Sequence, residues 1–159
     1  MKACLLIPCL AMVLPAAAED KSIDKAQVPK PVIDAAMAKY PKGNLVAFEE
    51  ANEAGKTSFE IKIELETWKT ELILSPDGKI LAEEMQISAK ELPDAVAKAL
   101  AASKFAKAKV RKMERVVESD KPEAPTYEIV VEEGSSKHEL VFSGAGVLMR
   151  VETKGQKKK

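Results

Sequence analysis

The sequence predicts an α+β protein: tandem duplicated helix-plus-four-stranded antiparallel sheet units, with helices packed on one sheet face. Three observations carry that prediction. Residues 71–84, ELILSPDGKILAEE, return 68 positions later at 139–152 as ELVFSGAGVLMRVE, and self-similarity at a fixed offset marks a repeated structural unit. Phe59, Ile61, Ile63 and Leu65 alternate with Glu60, Lys62, Glu64 and Glu66, the period of a strand with one wet face. Asp24-Lys25-Ala26-Gln27-Val28-Pro29 matches Ser88-Ala89-Lys90-Glu91-Leu92-Pro93, each a capping residue followed three positions on by Gln or Glu, the capping-box signature of a helix start.

Residues 1–18 read as a signal peptide. Lys2 supplies a positive start, Ala3–Leu14 an apolar run too short to span a bilayer, and Ala16-Ala17-Ala18 the small residues before a cleavage point. Export and cleavage after Ala18 are expected. Both cysteines, Cys4 and Cys9, fall inside this segment, so the mature chain carries neither a disulfide nor thiolate chemistry.

Two units follow, 19–88 and 89–153. The helices are expected at Pro31–Tyr40 and Asp94–Lys104, from Val32/Ile33, Ala36/Met37 and Tyr40, and from Leu92, Val96, Ala99/Leu100 and Ser103, all at helical spacing. Pro41 and Gly43 stop the first. Early strands are read at Leu45–Glu50 and Val110–Val117, where poorer alternation points to a bulge or an edge. Polar loops are expected at Asn52–Thr57 and Glu118–Pro125.

Each unit then has a hairpin. A two-residue loop at Glu66-Thr67 pairs Leu65 with Trp68, Ile63 with Thr70, Ile61 with Leu72 and Phe59 with Leu74, so every large apolar side chain shares one face. Glu64 then opposes Lys69, and Lys62 opposes Glu71. The same register shifted by 68 turns at Gly134-Ser135, a glycine-first pair suited to a hairpin, and pairs Ile129 with Leu140 and Tyr127 with Phe142. Turns at Ser75-Pro76-Asp77-Gly78 and Ser143-Gly144-Ala145-Gly146 lead into closing strands at Lys79–Ile87 and Val147–Glu152.

The repeat phrases resemble a known family. The Val-Pro and Leu-Pro helix starts, the Phe-Glu-Ile-Lys-Ile strand and Leu-Ser-Pro-Asp-Gly-Lys-Ile-Leu look like PepSY-like domains of the β-lactamase-inhibitor-protein-like group, over about residues 28–152. In the second turn Ala145 stands where that family usually has Asp, and Val147 where it has Lys. The resemblance implies an exported bacterial protein that binds or inhibits an extracytoplasmic protein, such as a peptidase or another envelope enzyme. It supplies no catalytic residue.

The residues read by themselves point the same way. All 25 acidic side chains lie within 19–153, against 20 lysines and arginines, and Lys154, Lys157, Lys158 and Lys159 follow as a lysine-rich tail. A weakly acidic body argues against nucleic acid as a partner. His138 is the only histidine, and Ser135, Ser136 and Ser143, its conceivable partners, all sit where turn chemistry explains them. No His/Cys cluster offers zinc spacing, and Ser75–Lys79 lacks the alternating acids of a calcium loop. Catalytic residues, metal ligands and cofactors are therefore all assigned as none. Glu49-Glu50, Glu83-Glu84 and Glu132-Glu133 read as solvated pairs pointing to opposite faces. The candidate partner contacts are Trp68, beside a hairpin loop, with Glu60, Lys62, Glu64, Lys69 and Glu71 on the wet sheet face. The expectation is a non-enzymatic protein-binding or inhibitory module, or, as the alternative, an envelope structural or small-ligand/cation-binding protein. The oligomeric state is left open.

Overall fold

The computed structural model describes residues 21–53 and 55–154; the predicted signal peptide and most of the lysine-rich tail lie outside them. Among the described residues nine strands form one sheet: β1 (Lys21–Ser22), β2 (Asn44–Glu53), β3 (Lys56–Glu64), β4 (Lys69–Leu74), β5 (Ile80–Gln86), β6 (Lys109–Glu118), β7 (Thr126–Glu133), β8 (Ser136–Ser143) and β9 (Leu148–Lys154). They lie side by side in chain order, every neighbour antiparallel. Short connections dictate that order within β2–β5 and within β6–β9, because consecutive strands joined by tight turns pair with each other. Helix α1 (Lys30–Lys39) precedes β2, and α2 (Asp94–Ala102) precedes β6. Each helix is thus followed by four strands, and β5 joins β6 to make one continuous surface.

Both central hairpins have the register read from alternation. Phe59 faces Leu74, Ile61 faces Leu72 and Ile63 faces Thr70, and the Leu65 N–H donates to the Trp68 carbonyl at 2.9 Å. Tyr127 faces Phe142 and Ile129 faces Leu140, with Gly134 at φ +61° in the turn. The irregular early strands carry the same bulge in each copy, between Leu45 and Ala47 and between Val110 and Lys112.

Three expectations need correction. The Asn52–Thr57 segment is not a polar loop: Asn52 pairs with Thr57 and Glu53 with Lys56, and the Thr57 hydroxyl donates to Asn52 Oδ1 at 2.7 Å. A ladder that satisfies both backbones outweighs the loop preference of these polar residues. The capping boxes do not cap the α-helices. The Asp24 N–H donates to Gln27 Oε1 at 3.0 Å, closing a 3-10 turn at Lys25–Gln27, while the N-caps of α1 and α2 are Pro29 and Pro93. In the second copy the Ser88 N–H and hydroxyl each donate to Glu91 Oε2 at 2.8 Å. The residue before a proline is held out of the helical region, and Val28 is extended at ψ 131°, so the turn and the helix cannot merge. Finally, α2 ends at Ala102, before the expected Lys104. The Ser103 hydroxyl donates to the Leu100 carbonyl at 2.8 Å and accepts the Phe105 N–H at 3.1 Å, which turns the chain and delivers Phe105 into the core.

The strands' apolar inner face forms two cores. Val28, Val32 and Ala36 cluster with Phe48, Phe59, Ile61, Ile63, Leu72 and Leu74. Leu92, Val96 and Phe105 cluster with Tyr127, Ile129, Val131, Leu140 and Phe142. Small helix residues at the contact let backbones approach closely, and the turn glycines show how closely. A Cβ on Gly78 would stand 2.5 Å from the Pro31 carbonyl oxygen, and one on Gly146 2.5 Å from the Ala95 carbonyl oxygen. Both glycines have positive φ, +86° and +81°, a conformation that side chains with a Cβ rarely adopt. The duplicated turns therefore touch the first turn of their own helix in both copies.

Candidate functional site

Directly opposed residues of an antiparallel ladder share a face, so the registers define the outer face. It carries Glu49 of β2, Glu60 and Lys62 of β3, Glu71 and Ile73 of β4, Ala82 and Glu84 of β5, Lys112, Glu114 and Val116 of β6, Glu128 and Val130 of β7, Glu139 and Val141 of β8, and Arg150 and Glu152 of β9. Among these residues eight glutamates meet three cations, and Glu64 and Lys69 flank them on the same face. Each cation bridges several acids. Lys62 Nζ lies 3.1 Å from Glu49, 3.4 Å from Glu60 and 3.8 Å from Glu71. Lys112 Nζ lies 2.8 Å from Glu71 and 2.6 Å from Glu114. Arg150 reaches Glu152 at 3.1 Å, Glu139 at 3.5 Å and Glu128 at 3.9 Å. Lys62, Glu71 and Lys112 thereby link β2 to β6 in one polar chain.

This face is less wet than alternation implies. Glu114 is 4% exposed, Val116 7%, Ala82 8%, Val141 8% and Glu139 9%. Both helices contribute their buried residues to the inner-face cores, so we attribute the cover to the aliphatic stems of neighbouring long side chains. Burial reshapes the acids. Glu84 is pushed up to about 8, first by burial and then by the charges of Glu128, Glu114 and Glu71. Burial also raises Glu114, against the pull of Lys112. Glu60 and Glu71 share a hydrogen bond and one proton: burial and that bond hold the proton on Glu60 to about 9. Burial works on Glu71 in the same sense, but hydrogen bonds from Glu60 and Lys112 outweigh it and keep Glu71 ionised.

The reading of paired glutamates as solvated surface is corrected by Glu83-Glu84. They do point to opposite faces, yet Glu84 is half-buried among acids. Glu83, on the inner face, accepts the Tyr40 hydroxyl and pairs with Lys39 at 2.7 Å. Sequence reasoning also missed Glu114, whose strand has a bulge that breaks the alternation from which a face is assigned. One oxygen each of Glu71, Glu84 and Glu114 can lie within 4.8 Å of the others, the one such cluster among the described residues. Lys112 already contacts two of the three. Replacing Lys112 by methionine leaves those carboxylates without their cation; a loss of about 1–3 kcal/mol in urea denaturation at pH 7 is expected.

The candidate contact residues divide between two places. Glu60, Lys62, Glu64, Lys69 and Glu71 lie together on the outer face, Glu64 and Lys69 bridged at 2.5 Å. Trp68 follows the register to the inner side. Its ring meets Tyr40 edge-on at 5.7 Å and 78°, and it is 38% exposed. It borders a groove of about 880 Å³ that also includes Leu65, Glu66, Gln86, Ile87 and Glu91. His138 sits opposite Val131, its Nδ1 3.1 Å from Thr153 Oγ1 and its ring 4.9 Å from Phe105. The Ser143 hydroxyl accepts the Val147 N–H at 3.2 Å within its turn. Among the described residues no helix is long and apolar enough to cross a membrane.

Fold and surface together define a class: a tandem α+β repeat protein whose two units share one sheet, with a charged, half-buried outer face. The chain belongs to the family described as "Putative beta-lactamase-inhibitor-like, PepSY-like", whose model matches it twice, over residues 16–82 and 82–150. Solved structures share the fold. A "putative periplasmic" protein from Bacteroides eggerthii is 20% identical, with a TM-score of 0.66, over 79% of this chain and 88% of that one. A DUF2874 family protein from Bacteroides uniformis is 18% identical, with a TM-score of 0.65 and the same coverage. A BLIP-like protein from Bacteroides fragilis is 20% identical, with a TM-score of 0.58, over 82% and 92%. Comparison with curated proteins gives no match.

Proposed function

We propose that the chain is an exported, non-enzymatic binding or inhibitory module that engages an extracytoplasmic protein, a peptidase or another envelope enzyme, through its outer sheet face and adjoining hairpin loops. The observation that carries this reading is the outer face itself. Its charges are pre-positioned by multi-point bridges through Lys62, Lys112 and Arg150, with Ile73 and Val130 among them. Side chains already held in place lose little further entropy on binding. The acidic excess favours a partner with a basic patch and association that slows as salt rises. The family's description and the apolar segment before Glu19 support the inhibitor-like and exported parts of the reading.

Affinity capture from periplasm or medium with residues 19–159 is expected to retain one protein at stoichiometric yield. Glu71→Lys and Ile73→Arg, checked for native circular dichroism, should abolish that retention. Trp68→Ala tests whether the hairpin loop contributes, since its indole lies on the other side of the sheet. Undiminished capture by both outer-face variants would remove that face from the reading. The Glu71, Glu84 and Glu114 cluster favours a second reading, divalent-cation binding. Absence of a thermal shift in millimolar calcium would dispose of it.

A further inference from the structure

We propose that β9 is a self-complementary edge through which two copies pair antiparallel, with Val151 on the two-fold axis. Among the described residues β9 ends the strand order and pairs only with β8. Around it lie the two most exposed large apolar side chains among the described residues, Met149 at 61% and Val147 at 60%, with Leu148 and Val151 at 40% each. An edge strand with exposed apolar residues is a template for another strand. At the opposite end of the sheet, β1 covers part of β2.

The duplication shows that this backbone accepts another neighbour. β5 is the counterpart of β9 in the first unit and carries the matching irregularity, with Leu81 skipped in its pairing to β4 as Met149 is in the pairing of β9 to β8. Its other edge is paired with β6 along Ala82–Gln86. Shifted by 68, those positions are 150–154, the regular part of β9. The first unit fills this edge within the chain; among the described residues no strand does so for the second.

Charge and strand length together select the occupant and the register. An axis at Thr153 would also set Glu152 opposite Lys154, but it would carry the partners of Arg150 and Val151 past the end of β9. A continuous two-fold sheet requires residues of one face to meet their own kind, so the axis must pass through a residue position. Centred on Arg150, like cations oppose each other, and centred on Glu152, like acids do. Centred on Val151, Arg150 of each copy faces Glu152 of the other, twice per dimer, and the valines meet between them. Opposite charges directly across a ladder favour pairing, and like charges oppose it. A second copy therefore fits without any new complementarity being required. The outer faces of the two copies would join in one surface.

Analytical ultracentrifugation of residues 19–159 at about 50–100 µM, in low salt, is expected to show a dimer. Glu152→Arg leaves Arg150 its bonds to Glu128 and Glu139 and should sediment as a folded monomer, as should Arg150→Glu. Mixing the two variants restores both opposite-charge pairs and should restore the dimer, with an affinity at least about tenfold above that of either variant alone. A monomeric wild-type protein, or variants that dimerise as well alone as when mixed, would overturn the proposal. Should Arg150→Glu unfold, pairing of Glu152→Arg with wild type supplies the check. Each such heterodimer has one attractive and one repulsive pair, so its affinity must fall between those of the two homodimers.

Discussion

Gly78→Ala and Gly146→Ala are each expected to lower stability by about 2–4 kcal/mol, measured by urea denaturation with unchanged m value. Two costs combine at these positions. The positive φ disfavours any residue with a Cβ by about 1 kcal/mol. The second cost is steric, because the added carbon meets a helix carbonyl oxygen at 2.5 Å, and neither partner is a flexible side-chain end. Gly134 separates the two. It has φ +61°, but nothing stands within 4 Å of its would-be Cβ. Gly134→Ala should therefore cost only about 1 kcal/mol. Equal losses at all three positions would show that the turns do not press on the helices. The double variant Gly78→Ala/Gly146→Ala should lose about 4–8 kcal/mol, a large share of a total stability on the order of 5–15 kcal/mol.

Stability is also expected to fall as pH rises from about 5 to 9, the reverse of a protein whose carboxylates are all well paired. Glu84 titrates near 4.5 when unfolded and near 8 in the fold, so the native state holds its proton more tightly. Its contribution is complete below pH 4.5 and is lost as pH climbs through 8. The full shift sets an upper bound of about 5 kcal/mol, and relaxation of a half-buried site brings the expected loss to about 2–3 kcal/mol. Glu60, protonated to about 9, acts in the same direction. Glu84→Gln keeps the neutral shape and should flatten the profile, leaving the variant about 2 kcal/mol more stable than wild type at pH 9. A wild-type profile that is flat or rising across this window would show that the outer-face acids are ionised and solvated.

Much of the fold was legible because its signals are local or periodic. Alternation at Phe59–Glu66 and its recurrence at Tyr127–Glu132 determine which side chains share a face, and any one-residue slip would turn Ile61 and Leu72 to solvent. The 68-residue echo adds an independent copy of the same constraint. Legibility fails where pattern competes with context. Asn52–Thr57 has turn-like residues but pairs as ladder, and Ser103 stops α2 early and buries Phe105. Trp68, by contrast, lies where the register read from the sequence puts it, on the side of the sheet opposite the wet-face residues.

By itself the sequence determined the duplicated unit, the register of both hairpins and the division of the hairpin strands into an apolar and a charged side. These follow from periodicity, which depends only on neighbours along the chain. Tertiary structure alone decided that Glu114 and Glu84 converge on Glu71, that Lys112 spans two strands to reach it, and that the turn glycines abut the helices. Those contacts join residues from different strands and both units, and their energies depend on burial and distance in space. Spacing along the chain encodes neither.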